Sequence, residues 1–251
     1  MPHTSIQSLT RGLTVLNAVA ESERGLGPVA IAEQLGVSPA TAHNLIGTLI
    51  AAGWLIKSGR PQRLQLGPAL DELLRKQRRR ALHSHGSHAL RQIAAACPRA
   101  TAVVVEQLGA QLHTRLRIDP SQRGRVQEPA GSVFGSHFSA VTLCWLAFAP
   151  APERALWERM HPLSEANSKT WHGRDDLEAV LERTREAGFV RVERDHPVRV
   201  AAPIFSPGGE LVAVLGASLM VVENPDDTER NALSTAVCDA AALFTQSLAE
   251  T

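Results

Sequence analysis

Between Gly25 and Gly67 the chain reads GLGPVAIAEQLGVSPATAHNLIGTLIAAGWLIKSGRPQRLQLG, and no other stretch constrains the fold as tightly. Pro28 suits the first helical position, where a missing N–H costs no hydrogen bond. Ala30, Ile31 and Leu35 are expected to face inward over about two turns. Gly36 follows where a left-handed residue ends such a helix. Val37 fills a turn, and Ser38 is an N-cap with Pro39 behind it. Ala42, Leu45, Ile46 and Leu49 then fall at i, i+3, i+4 and i+7, one apolar stripe of a second helix. The opposite face presents Ala40, His43, Asn44 and Gly47, flanked by Thr41 and Thr48. Gly53 stops the helix. Trp54–Ile56 and Arg63–Leu66 read as strands around Ser58-Gly59-Arg60-Pro61.

Helix, tight turn, helix and basic hairpin together predict a winged helix-turn-helix, an arrangement that lays its second helix in the major groove of duplex DNA. A small helical core with no nucleic-acid role is the rival reading. On the DNA reading, Ser38, Ala40, Thr41, His43, Asn44 and Thr48 approach base edges and phosphates. Lys57, Arg60 and Arg63 are the expected phosphate contacts of the hairpin.

Charge is divided in a way that agrees. Residues 1–80 carry ten Lys/Arg against five Asp/Glu, so the positive half is the half with the helix pair, although the whole chain is only +1. The run Arg75-Lys76-Gln77-Arg78-Arg79-Arg80 stands as either a phosphate contact or a solvated linker helix. At 251 residues the chain has room for two domains. It has no run of about 18 apolar residues and no apolar stretch near its N-terminus, so neither a membrane span nor a signal peptide is expected. Cys97, Cys144 and Cys238 are odd in number and widely spaced, which predicts buried free thiols in a reducing cytoplasm rather than disulfides.

A first helix is expected over Leu9–Glu21, capped by Ser8, with Leu9, Leu13, Leu16 and Ala20 inward. Pro68 opens a connecting helix to about Arg80. The polar patch HSHGSH at 83–88 is expected to separate it from a helix over Ala89–Cys97. From residue 101 the pattern turns to strands: a hairpin over 101–118 about Gly109-Ala110, with Leu112, Thr114, Leu116 and Ile118 alternating. Helices follow over Ser139–Phe148, Pro152–Met160 and Arg174–Ala187. Strands are then expected over Phe189–Glu193, Val198–Phe205 and Glu210–Leu219, and a last helix from Asp226. Strands on both sides of a helical middle indicate an α+β domain with an antiparallel sheet. The expected division is 1–67 for the winged helix-turn-helix, 68–82 for the linker helix and 83–251 for the second domain.

Other chemistries leave no signature. His83, His85 and His88 lack an acidic or Cys partner nearby, and Gly86 argues against the helix that would align them, so no metal is expected. GxxxxGK[ST], HExxH, GxSxG and CxxC are all absent, and no catalytic residue, enzyme activity or cofactor is inferred. Trp145, Trp157 and Trp171 either line an apolar pocket or fill a core.

In this order the blocks resemble the IclR family of bacterial transcription regulators. SIQSLTRGLTVLNAV (5–19) is similar to the family's opening helix and QRLQLGP (62–68) to its wing exit. SHFSAVTLCWLAFAP (136–150) resembles the loop and helix beside the effector pocket, and VAAPIFSPGGELVAVLGAS (200–218) resembles a recognisable strand pair. The resemblance implies a GAF-like effector domain, a homodimer or homotetramer, a double-stranded operator and a small organic acid or aromatic as effector. It carries pocket roles to His137, to the N–H groups of Ala140 and Val141, and to Ser218. Arg199 takes a position that is often Cys or Ser. Helix-start amides suit an anion, and an inward Arg199 would add a bidentate contact.

The chain also departs from the family. Asn44 stands where a basic residue is usual, and Ala40 where a polar one is. Asn pairs with adenine rather than guanine, so an A·T preference or a simple phosphate contact is expected there. Thr142-Leu143 replaces a Gly-Lys pair. The alternative to effector sensing is a second domain that only oligomerises.

Overall fold

The computed structural model describes residues 6–122, 124–129, 133–134, 137, 139–163, 173–193, 197–219 and 227–250. Two compact units divide the chain, Met1–Arg80 and Ala81–Thr251.

The first unit opens with α1 (Gln7–Glu21), α2 (Pro28–Leu35) and α3 (Pro39–Ala51), followed by the hairpin β1 (Leu55–Ser58) and β2 (Arg63–Leu66). Gly36 ends α2 in the left-handed region, φ 61° and ψ 39°, as its position demands. Val15, Val19, Ile31, Ala32, Ala42, Ile46, Leu55 and Leu64 form the core. Three expectations fail here. Ser8 lies inside α1, whose N-cap is Ile6 with no side-chain cap bond. The buried stripe of α1 is Val15, Ala18 and Val19, while Leu9 and Leu13 are exposed. The helix carries two apolar stripes, and packing on α3 and β2 selects the second. Ala30 is likewise exposed, its expected inward place taken by Ala32.

Gly25 and Leu64 hold the hairpin to the loop after α1. Leu26 and Leu64 exchange backbone bonds, N–H to O, of 3.2 and 2.8 Å. Gly25 sits at φ 73°, and a Cβ there would stand 2.4 Å from the Leu64 carbonyl oxygen. That site requires glycine on both counts.

α4 runs unbroken from Pro68 to Ala96, 29 residues, and the boundary between the units falls within it. The expected break at 83–88 is absent. Gly86 is buried where α4 meets the sheet: a Cβ would lie 2.9 Å from Leu116 Cδ1 and 3.2 Å from Val104 Cγ2. The glycine marks close packing rather than a helix end.

Among the described residues of the second unit, seven antiparallel strands form one sheet, in the order β5-β4-β3-β9-β8-β7, with β6 also paired to β4. They are β3 (Ala100–Leu108), β4 (Gln111–Ile118), β5 (Val126–Gln127), β6 (Val133–Phe134), β7 (Val190–Val192), β8 (Val198–Phe205) and β9 (Leu211–Leu219). The helices are α5 (Ala140–Phe148), α6 (Ala151–Met160), α7 (Arg174–Ala187) and α8 (Asp227–Ala249). Alternation along the strands feeds two cores. One face packs Leu90, Ile93, Val104, Leu116, Leu215 and Val237 under α4 and α8. The other packs Val105, Leu143, Trp145, Trp157, Leu181 and Ala201 under α5, α6 and α7. By length and composition alone α8 is apolar enough to cross a membrane; here Leu233, Val237, Ala240, Ala241 and Phe244 are buried in the core.

Candidate nucleic-acid interface

Ser38 adopts extended φ/ψ ahead of α3, and its Oγ accepts the Thr41 N–H at 3.2 Å. This satisfies one of the unpaired amides that every helix start exposes. The same Oγ lies 2.9 Å from Thr41 Oγ1, so one of the two hydroxyls donates to the other and the second keeps its proton for an outside acceptor. Thr48 Oγ1 donates to the Asn44 carbonyl at 2.9 Å. Its hydroxyl can therefore accept from a base amino group but has no proton left for a phosphate.

Ala40, His43, Asn44 and Gly47 all lie exposed on one face of α3, with Thr41 half-buried at its edge. No side chain among the described residues engages the Asn44 amide or the His43 ring, which leaves both polar ends to solvent. Ala40 and Gly47 add no bulk, and nothing lies within 4 Å of a Cβ at Gly47. The surface is polar at its centre and low at its ends, a shape that admits close approach of a groove floor.

On the hairpin, the pairing Ser58↔Arg63 and Lys57↔Leu64 puts Lys57 and Arg63 on opposite faces. Lys57 and Arg60 are exposed. Arg63 is partly committed: its Nη1 donates to the Gly25 carbonyl at 2.9 Å, so it ties the hairpin to the α1–α2 loop. In the basic run, Arg75 and Lys76 both reach Glu72, at 2.7 and 3.4 Å, on an exposed helix face.

The sequence-derived pocket residues of the second unit fall on the sheet face under α5. Val141 packs over Gly216, where a Cβ would stand 2.5 Å from Val141 Cγ2. One residue pair further along the ladder, Thr101, Ser218, Arg199 and Val192 form a cross-strand row on that same face. Ser218 and Arg199 are half-buried neighbours, and Arg199 has no carboxylate partner among the described residues. Ser139 gives α5 no side-chain cap, and the first described amide bond of the helix is Leu143 N–H to Ser139 O, 2.9 Å. The N–H groups of Ala140 and Val141 are thus left without partners among the described residues.

Two buried polar atoms join them: Thr142 Oγ1 and His137 Nδ1, neither hydrogen-bonded among the described residues. The sequence marks Thr142 only as a departure from the family and gives it no pocket role, because a threonine in an apolar run reads as core. Burial lowers the His137 pKa, His161 lowers it further, and Glu158 acts in the opposite direction. The His137 ring meets Trp157 edge-on at 4.9 Å, while His161 stacks on the same indole at 4.4 Å. Trp145 and Trp157 are core residues, with ring centres 5.9 Å apart. Trp171 and Asp226 lie outside the described residues.

Among the described residues no three His, Cys, Asp or Glu side chains converge to hold a metal. His83 instead pairs with Glu128 at 3.2 Å, and His85 lies beside Phe244. Cys97 and Cys144 are buried, Cys238 half-buried, and all three are free thiols whose pKa burial raises.

Residues 8–58 match the IclR helix-turn-helix domain. Over 69 residues the chain is 41% identical to the glycerol operon regulatory protein of Streptomyces coelicolor, a match covering 28% of this chain and 27% of that protein. The matched segment thus spans about a quarter of that relative's length. An IclR transcription regulator from Alicyclobacillus acidocaldarius superposes with TM-score 0.56 at 22% identity, covering 97% of this chain and 99% of that one. The IclR of Thermotoga maritima gives 0.55 at 19% identity with the same coverage. Residues 8–58 are thus similar to the helix-turn-helix domain of the IclR regulators, and the chain as a whole has the fold of those regulators. These relatives are transcription regulators, not enzymes.

Proposed function

We propose that this protein is a sequence-specific DNA-binding transcription regulator. The observation that carries the reading is the face of α3. Ser38 caps the helix, and Ala40, His43, Asn44 and Gly47 are displayed to solvent with the Asn44 amide unengaged. Lys57 and Arg60 on the hairpin supply phosphate contacts, and the exposed Arg78 and Arg80 of α4 are further candidates. Arg63 acts chiefly as the tie to Gly25. The protein acts as a homodimer or homotetramer on a palindromic operator, since a two-fold protein matches a two-fold site. A bacterial regulator of this kind works in the cytoplasm, where its DNA lies.

Selection of duplex fragments from a random pool tests this directly. An enriched palindromic site is the expected result. Asn44→Ala costs about 1–3 kcal/mol on that site, with the loss concentrated at an A·T pair. Recovery of no site, or equal binding when that pair becomes G·C, contradicts the role given to Asn44.

A second reading, effector sensing, is favoured by the start of α5. The N–H groups of Ala140 and Val141, the Thr142 hydroxyl and His137 Nδ1, all without partners among the described residues, are concentrated there. Ser218 and Arg199, which has no carboxylate partner among the described residues, lie on the sheet face that this helix covers. Buried donors without acceptors are costly, and an organic acid would satisfy them. A thermal-shift screen of small organic acids and aromatics should return a ligand that raises the unfolding temperature and changes operator affinity. A ligand-free second domain that only oligomerises gives neither.

A further inference from the structure

A cleft of about 510 Å³ lies in the second unit beside α4, on the sheet face opposite α5. The regulator reading makes no use of it. Its volume is in the range that encloses a small metabolite, roughly 300–1,000 Å³. His83, Ser87 and Arg91 fall at i, i+4 and i+8, so one stripe of α4 forms a wall. Arg125, just before β5, and Gln127, within it, form another, and Leu116 and Val126 supply apolar surface between them.

Three features of this cleft call for an anion. Ser87 is only 6% exposed, and its hydroxyl has no partner among the described residues. Hydroxyls elsewhere on these helices bond the carbonyl four residues back, as Thr184 does to Val180 at 2.8 Å and Ser234 to Arg230 at 3.1 Å. Arg91 and Arg125 have no carboxylate partner among the described residues, although the arginines of the α6–α7 network do. The carboxylate that does line the cleft, Glu128, is engaged by His83 at 3.2 Å. Two guanidiniums without a carboxylate partner among the described residues, a hydroxyl open to the cleft and adjoining apolar surface leave net positive charge there. A guanidinium fork offers a carboxylate or phosphate a bidentate, charge-assisted contact.

We propose that this cleft binds a small organic anion, with its carboxylate or phosphate held by Arg91 and Arg125 and its polar substituents by Ser87 and Gln127. The site is independent of the effector reading, since it shares no residue with the α5 face and lies on the other side of the sheet. The ligand would sit on α4, the helix in which the unit boundary falls.

Isothermal titration of the full chain with inorganic phosphate and, separately, with succinate at low ionic strength tests the proposal. One saturable site per chain is expected for at least one of the two anions. Phosphate alone assigns a phosphate-bearing ligand, and succinate alone assigns a carboxylate. Arg91→Ala and Arg125→Ala each weaken binding roughly tenfold or more. Both side chains are exposed, so the unfolding midpoint stays unchanged and reports an intact fold. Arg199→Ala leaves the titration as it was. The proposal is overturned by a non-saturating response to both anions, by binding that survives the Arg91→Ala/Arg125→Ala double variant, or by binding that Arg199→Ala alone abolishes.

Discussion

The two units solve the problem of presenting chemistry in opposite ways. In the first, polar groups meant for a partner stand outside: the α3 face is exposed, and the fold beneath it is fixed by caps, left-handed glycines and a short hairpin. In the second, the groups that stand out are inside: Thr142, His137 and Ser87 are buried polar residues, and Thr142 Oγ1 and His137 Nδ1 have no partner among the described residues. A groove of DNA is a surface read from without, whereas a small anion is read by enclosure, so each arrangement fits its proposed ligand.

Substitutions sharpen this contrast. The largest effect is expected at Gly25, where alanine meets both a positive φ and the Leu64 carbonyl; Gly25→Ala should cost more than about 2 kcal/mol in a denaturant titration. A cost below that would show that the hairpin tie is slack. Ser38→Ala removes the α3 cap, and the same titration should register a loss of about 1 kcal/mol. Gly47→Ala acts in the other direction. With nothing near its Cβ, it should stabilise the free protein by about 0.5–1 kcal/mol while weakening DNA binding through the added methyl. A variant that gains stability and keeps full affinity would remove Gly47 from the groove face.

The smallest effect is a pH dependence. Burial holds the folded-state pKa of His137 below its ordinary value of 6.5, so the unfolded chain takes up a proton first. Stability is then complete above about pH 6.5 and declines as the pH falls through the lowered folded value. His137→Gln should flatten that decline in unfolding midpoints measured from pH 7.5 to 5. An unchanged slope would mean that this ring is not the group responsible.

How much of this was legible in the sequence follows the same division. Local rules placed α2, the Ser38 cap, Gly36 and β2 correctly, because caps and glycines act within a few residues. One cap rule failed, at Ser8, which lies inside α1, and the other misreadings were long-range choices. α1 carries two apolar stripes, and only its packing on α3 and β2 decides between them. Gly86 looked like a helix break, although its lack of a side chain is what brings α4 down onto Leu116. Reading 83–88 as a broken linker also split the stripe of His83, Ser87 and Arg91, and so hid the cleft. For the α5 face, residues as distant as Val141 and Ser218 were named from family resemblance. Their common face became physical only through the strand register.

The assignment of the first unit as a DNA reader is tested most directly by the salt dependence of binding to the selected duplex. The wild-type protein should lose affinity steeply as salt rises. The Lys57→Ala/Arg60→Ala double variant should show a slope smaller by about two, one per phosphate contact. Arg63→Ala should lower stability more than it lowers the slope, because Gly25 holds its guanidinium. A flat response in the wild-type protein, or a double variant with an unchanged slope, would contradict the assignment of the hairpin and α3 as the DNA-binding surface.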